Sequence, residues 1–324
     1  MDLGFLIKKL LNRSINIIKE FRDLRSQYSF YFAFITLMWW LMYYLHWKKG
    51  NNYFARQKQK AIDKIIDSEF SDIVAKYKDK PESAKIVKDF RIWVFWAQGE
   101  EKMPKLVKSC FNQLKHIEED KVVLITLGNI KNYVDLPNRL YDLLGSGKIL
   151  YAHFSDILRN YLIAKYGGVW YDATCWITAT FPNNLKKYSY FSPKNHRDGT
   201  RGVVYAMGSG VLDSVTFSFV RDILILMIQS GKNWPDYLFQ DYVFNYARKN
   251  ISATKEAIEI LPDNNTQRFL LFSWMNQPFD KTKYEKLIEN NWIFKLSYKT
   301  HYKDYTDGKP TFYHHLINPE KQKV

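Results

Sequence analysis

From Phe90 onward the chain alternates short, continuous apolar runs with stretches of helical spacing, and this alternation restricts what it can fold into. Ile92-Trp93-Val94-Phe95-Trp96 and Val122-Val123-Leu124-Ile125-Thr126-Leu127 are almost uniformly apolar, as expected of strands buried on both faces. Between them, Met103 to Ile117 repeats Leu106, Val107, Cys110 and Leu114 at helical intervals. Strand, helix and strand in this order predict a parallel α/β sheet. A third unit follows: Ser155 is expected to cap a helix running through Tyr166, Gly167-Gly168 to end it, and Val169 to Asp172 to resume an extended strand. Further strands are expected near Tyr188 to Phe191, Val203 to Met207 and Trp292 to Leu296, and helices over Leu212 to Gln229 and Tyr237 to Arg248.

Residues 1–86 have a different character. Leu3, Phe5, Leu6, Leu10, Ile15, Ile17 and Ile18 recur on one side of a helix, as do Ile62, Ile65, Ile66, Phe70 and Ile73, and Pro81 punctuates the end. The expected division is a helical region over 1–86 and an α/β domain over 87–324. Within the first, Tyr28 to His46 holds no Lys, Arg, Asp or Glu and is dense in aromatic side chains. Its nineteen residues just reach the length of a membrane span. Spanning helices, however, gather aromatics at their two ends, whereas here they run through the middle. Basic residues flank the segment on both sides, which favours a helix lying on an anionic membrane surface over a spanning helix or a buried core helix. The run begins too late, and without a small-residue cleavage pattern, to read as a signal peptide.

Hydrophobic residues make up 46% of the 324 and aromatics 17%, which excludes a solvent-facing disordered chain. A net charge of +15 calls for a polyanionic partner: nucleic acid, anionic lipid or a phosphate-bearing small molecule. Nucleic acid is the weakest of these, because no zinc finger, RNP-like string or compact basic helix occurs and the basic residues are spread along the chain. The two cysteines, Cys110 and Cys175, form neither a disulfide framework nor a CxxC pair.

The chemistry concentrates around the third unit. Asp156 and Arg159 stand three apart and share a helix face, while Asp172 falls at the carboxyl end of a strand, where open α/β sheets bind ligands. Taken singly, the first two read equally as a surface ion pair. The string Ser155-Asp156-Ile157-Leu158-Arg159, followed by Tyr166-Gly167-Gly168-Val169-Trp170-Tyr171-Asp172-Ala173-Thr174, is more specific. It resembles the capsular polysaccharide synthesis protein family, related to sugar-transferring enzymes whose signature is SDxxR, a Gly-Gly turn and DxD. Trp96 to Gly99, Pro104 and Asn132-Tyr133-Val134-Asp135-Leu136-Pro137 extend the resemblance.

The resemblance implies a glycosyltransferase A-type, Rossmann-like domain that transfers a sugar with retention from a nucleoside diphosphate sugar, UDP-linked by family likeness. The acceptor would be a lipid-linked, growing cell-surface polysaccharide at the cytoplasmic face of the bacterial membrane. It implies Trp96 near the base, Asp156, Arg159 and Tyr171 along the donor, and Asp172 at a metal-diphosphate group, with Mn²⁺ or Mg²⁺ as cofactor. The sequence departs from the pattern at Asp172-Ala173-Thr174, where one carboxylate of DxD is missing. His315, next to His314, is the candidate replacement ligand, and Gln240 and Asp241 are candidates for acceptor contact or, in an inverting reaction, the base. The altered motif also admits an inactive membrane-bound scaffold.

Overall fold

A computed structural model describes residues 17–194 and 203–318, which form two compact units. The periodicity expected over Leu3 to Ile15 lies outside the described residues. The first unit comprises 17–78 together with 222–246, and the second 79–221 and 247–318. Residues 222–246, grouped by sequence with the α/β domain, therefore fold with the N-terminal helices. A buried ion pair is one cause: Lys58, fully shielded from solvent, places Nζ 2.5 Å from Asp236 Oδ2 and 4.7 Å from the centre of the Trp39 ring.

Helix α1 covers residues 17–27, α2 runs Phe30–Tyr44, α3 Lys48–Glu69 and α4 Ser71–Tyr77. Ser29, extended at φ −163°, caps α2 by accepting from the Phe32 amide at 3.1 Å. The α2–α3 hairpin closes tightly at Gly50, where an added Cβ would lie 2.8 Å from Met42 Sδ. Phe32, Ala33, Ile35, Thr36 and Met42 are buried on α2, whereas Phe30, Tyr31, Phe34, Leu41 and Tyr43 are exposed. Its 15 residues extend about 22 Å, short of the roughly 30 Å hydrocarbon core of a bilayer. No described helix is long and apolar enough to cross a membrane. The spanning arrangement for Tyr28 to His46 is thus set aside, because the left-handed residue His46 (φ 52°) ends the apolar run and α3 packs back on it.

The second unit contains β1 (Ile92–Phe95), α5 (Lys105–Glu118), β2 (Val122–Ile125), α6 (Asn138–Gly145), α7 (Tyr151–Tyr166), β3 (Gly168–Tyr171), β4 (Cys175–Ile177) and β5 (Ala206–Ser209). Helices α8 (Val215–Gln229) and α9 (Phe239–Asn250) come next in the chain and belong to the first unit over 222–229 and 239–246; the second unit continues with α10 (Ser252–Ile260), α11 (Leu270–Trp274), α12 (Lys281–Ile288) and β6 (Ile293–Lys295). The short pair β7 (Tyr305–Thr306) and β8 (Lys309–Pro310) precedes α13 (Phe312–Ile317). The main sheet has the order β2-β1-β3-β5, with β1 parallel to both neighbours and β5 antiparallel to β3. A second, two-stranded sheet pairs β4 with β6, setting Cys175 opposite Lys295.

The α/β alternation read from the sequence is therefore present as a mixed sheet whose first three strands are parallel. β1 and β3 are buried at every position, as the unbroken apolar runs require. Two local expectations change. Helix α7 begins at Tyr151, so Ser155 is not its cap; its hydroxyl donates back to Ala152 O at 2.7 Å. Tyr188 to Phe191 does not form a strand; Phe191 makes only a lone bridge to Gly208.

Candidate active site

The chain leaves β1 to one side to form β2, then crosses back to place β3 on the other side. In sheets with such a reversal, ligands bind at the carboxyl ends of the strands on either side of it, here β1 and β3. Trp96 directly follows β1 and Asp172 directly follows β3. The helix feeding β3 can be that close only because two glycines join them: φ is +66° at Gly167 and +81° at Gly168. A Cβ at Gly168 would sit 2.2 Å from the Arg91 carbonyl oxygen, and one at Gly167 would sit 2.1 Å from Val87 Cγ2.

Arg159 organises the carboxylates. Its side chain is 5% exposed, and it lies over the Trp170 ring at 5.1 Å. Nε donates to Ser155 O at 3.2 Å, Nη1 to Val204 O at 2.8 Å and Nη2 to Ser155 Oγ at 2.9 Å. The same Nη2 stands 3.3 Å from Asp156 Oδ1 and 3.4 Å from Asp172 Oδ1. One buried guanidinium thus draws a carboxylate from α7 and a carboxylate from the end of β3 to a single point, as the SDxxR spacing followed by the Gly-Gly turn anticipates.

A second cation, which the sequence reading did not single out, completes the cluster. Lys295, the last residue of β6, places Nζ 2.7 Å from Asp172 Oδ2 and 2.7 Å from Thr174 Oγ1. Its backbone is fixed opposite Cys175 in the β4–β6 pair, and its amide donates to Arg268 O at 3.0 Å. The signal in the sequence is slight: a single lysine ending the apolar run Trp292-Ile293-Phe294. Asp172 Oδ1 also accepts from Trp170 Nε1 at 2.9 Å. Burial by itself would raise the Asp172 carboxyl, but Lys295, Arg159 and these hydrogen bonds hold it below its ordinary value. For Lys295, burial is the largest single influence and works to lower the ammonium, but the Asp172 charge, Cys175 and the hydrogen bond to Asp172 together raise it above its ordinary value.

These donors do not suit a divalent cation. Both Asp172 oxygens and Thr174 Oγ1 already accept from cationic or N–H donors, and Asp156 shares the Arg159 guanidinium. A hard ion requires several unengaged oxygens, whereas here it would face two positive groups across one carboxylate. Among the described residues, no group of three or more His, Cys, Asp or Glu side chains is arranged to hold a metal.

The remaining candidates separate. Trp96 is half-buried, donates Nε1 to Lys102 O at 3.3 Å, and meets Tyr298 edge-to-face at 5.7 Å, close after β6 in the chain. Tyr171, by strand alternation, turns away from Asp172 into the core, where it is fully buried. His315 stacks on Phe279 at 3.7 Å and lines a cleft of about 280 Å³ with Trp176, Tyr284 and Leu316. No Asp156, Arg159, Asp172 or Lys295 side chain lines that cleft. Gln240 and Asp241 belong to the first unit, Gln240 buried and Asp241 half-buried.

No functionally curated protein matches the chain. Among solved structures it is similar to the PaToxG glycosyltransferase, at 16% identity and a TM-score of 0.38, over 63% of this chain and 89% of that one. The family model for capsular polysaccharide synthesis protein matches residues 42–316, a span that takes in α3, the whole β-sheet and the Asp156–Arg159–Asp172 cluster. The chain belongs to the capsular polysaccharide synthesis protein family.

Proposed function

We propose that the protein is a glycosyltransferase of the A-type fold, moving a sugar from a nucleoside diphosphate sugar to a growing cell-surface polysaccharide. The observation that carries this reading is the convergence of Asp156 and Asp172 on buried Arg159 at the sheet's switch point. Carboxylates there accept hydrogen bonds from sugar or ribose hydroxyls, and Trp96 offers a ring for the base. The acceptor hydroxyl oxygen bonds to the anomeric carbon as the bond from that carbon to the diphosphate oxygen breaks. The diphosphate leaves with the electron pair and takes up the hydroxyl proton.

Retention suits this cluster, since Asp172, held below its ordinary value by cations, is a poor proton acceptor and retention by this route needs no side-chain base. A UDP-linked donor follows from the family resemblance. The exposed aromatic face of α2, flanked by exposed Lys48, Lys49 and Arg56, supports a lipid-linked acceptor met at an anionic membrane surface, the cytoplasmic leaflet.

Calorimetric titration with a panel of nucleoside diphosphate sugars tests the reading. One donor is expected to bind wild type, with affinity falling about 10- to 100-fold in Asp156→Ala, the scale of a lost charge-assisted hydrogen bond. A panel in which no donor binds removes the transferase reading. Binding without sugar transfer to any acceptor would favour the inactive scaffold, a reading motivated by the ion-paired state of Asp172.

A further inference from the structure

The motif at the end of β3 reads Asp172-Ala173-Thr174, and the second carboxylate that a metal-binding version would carry is replaced by a hydroxyl. The structure shows what this substitution accompanies. The Lys295 ammonium lies 2.7 Å from both Asp172 Oδ2 and Thr174 Oγ1, bridging the first and third positions of the motif. A second carboxylate in place of the hydroxyl would gather two anions around one ammonium, whereas a neutral hydroxyl leaves Lys295 and Arg159 both facing the single carboxylate of Asp172.

We propose that Lys295 supplies the positive charge at this site that the diphosphate needs, so that donor binding and departure of the leaving group require no divalent metal. This inference rests on the transferase reading above and adds to it the cation that meets the phosphate.

Four features support it. Lys295 is held by strand pairing rather than by a flexible loop, so its ammonium is preset. Its side chain is 25% exposed, so it is not sealed inside the core, in contrast with Arg159 at 5%. An ammonium has three N–H donors, and Asp172 and Thr174 take two, which leaves one for a phosphate oxygen. Arg159, by contrast, is committed to Ser155, Val204 and the two carboxylates and acts as a positioning residue. During transfer Lys295 stays protonated: it neutralises charge that develops on the departing diphosphate oxygen and neither gives nor takes a proton.

The test is calorimetric titration of the full chain with UDP, GDP, CDP, ADP and dTDP, each in EDTA and each in Mn²⁺, for wild type, Lys295→Met and Lys295→Arg. Electron paramagnetic resonance of Mn²⁺ added to wild type is recorded alongside. The expected result is one diphosphate that binds wild type equally in EDTA and Mn²⁺, about 10- to 100-fold more weakly to Lys295→Met, and nearly normally to Lys295→Arg. The Mn²⁺ signal should remain that of the free ion. Binding that requires Mn²⁺, or Lys295→Met binding like wild type in EDTA, overturns the role of Lys295 and leaves the transferase reading standing. Absence of binding by every diphosphate in both conditions removes both. Should Lys295→Met fail to fold, the wild-type comparison of EDTA with Mn²⁺ and the Lys295→Arg titration decide the question.

Discussion

Arg159 and Lys295 divide the work around Asp172 according to their chemistry. The planar guanidinium can hold several acceptors in fixed directions while buried, so it ties Ser155, Val204, Asp156 and Asp172 together. The ammonium is a compact charge on a long stem, suited to the rim of the cluster. The Asp172–Lys295 pair has a defined pH signature. Asp172 titrates below its ordinary 3.8 in the folded chain, so its contribution is fully present above that value and is lost as pH falls through the depressed one. Lys295 titrates above its ordinary 10.5, so its contribution is fully present below that value and is lost as pH rises through the raised one. We expect wild type to exceed Asp172→Asn by about 1–3 kcal/mol with a plateau from about pH 5 to 9, and the gap to close in acid. Urea unfolding across pH measures it; a gap that widens on acidification would contradict the pairing.

At the level of elements, the junction from α7 to β3 fixes the site. Asp156 lies in the helix and Asp172 just beyond the strand, and only an abrupt reversal brings them to one guanidinium. Gly168→Ala should therefore destabilise the protein by about 2–4 kcal/mol, combining a left-handed backbone position with a methyl against the Arg91 carbonyl. Gly147→Ala is the control. It shares a positive φ of +70° but meets nothing within 4 Å, so it should cost only about 1 kcal/mol. Denaturant unfolding of the two variants separates steric contact from backbone preference. This junction was legible from sequence, because Gly-Gly between a helical period and an apolar run has few other uses. The start of α7 was not, since Ser155 reads locally as a cap, whereas its hydroxyl is used within the helix and toward Arg159.

Across the whole molecule, the +15 charge and the outward side of α2 bear on one property. Phe30, Phe34 and Leu41 are 60%, 43% and 44% exposed, more apolar surface than an isolated helix face normally leaves in water. We expect binding to phosphatidylserine vesicles that weakens at least about tenfold as salt is raised from roughly 0.05 to 0.5 M, as screening removes the attraction of the basic residues. The triple substitution Phe30→Ser, Phe34→Ser and Leu41→Ser should reduce vesicle binding by about tenfold or more while leaving thermal unfolding nearly unchanged, because these side chains lie outside the α2–α3 core. Vesicle co-sedimentation reads both effects, and binding unaffected by salt and by the substitutions would show that this face serves something other than a membrane.

Local information was enough to establish the parallel strands, the Gly-Gly turn and the grouping of Asp156, Arg159 and Asp172. Apolar runs, helical periods and glycines act over a few residues, and the SDxxR spacing sets two of the three on one helix face. Only the tertiary structure decided that Tyr171 turns into the core, that His315 stacks on Phe279 outside the cluster, and that residues 222–246 join the N-terminal helices. It also decided the identity of the cation at Asp172. Lys295 stands 123 positions from Asp172 and reaches it only because β4 and β6 pair in one register, and no short-range pattern encodes the register of strands so far apart in the chain.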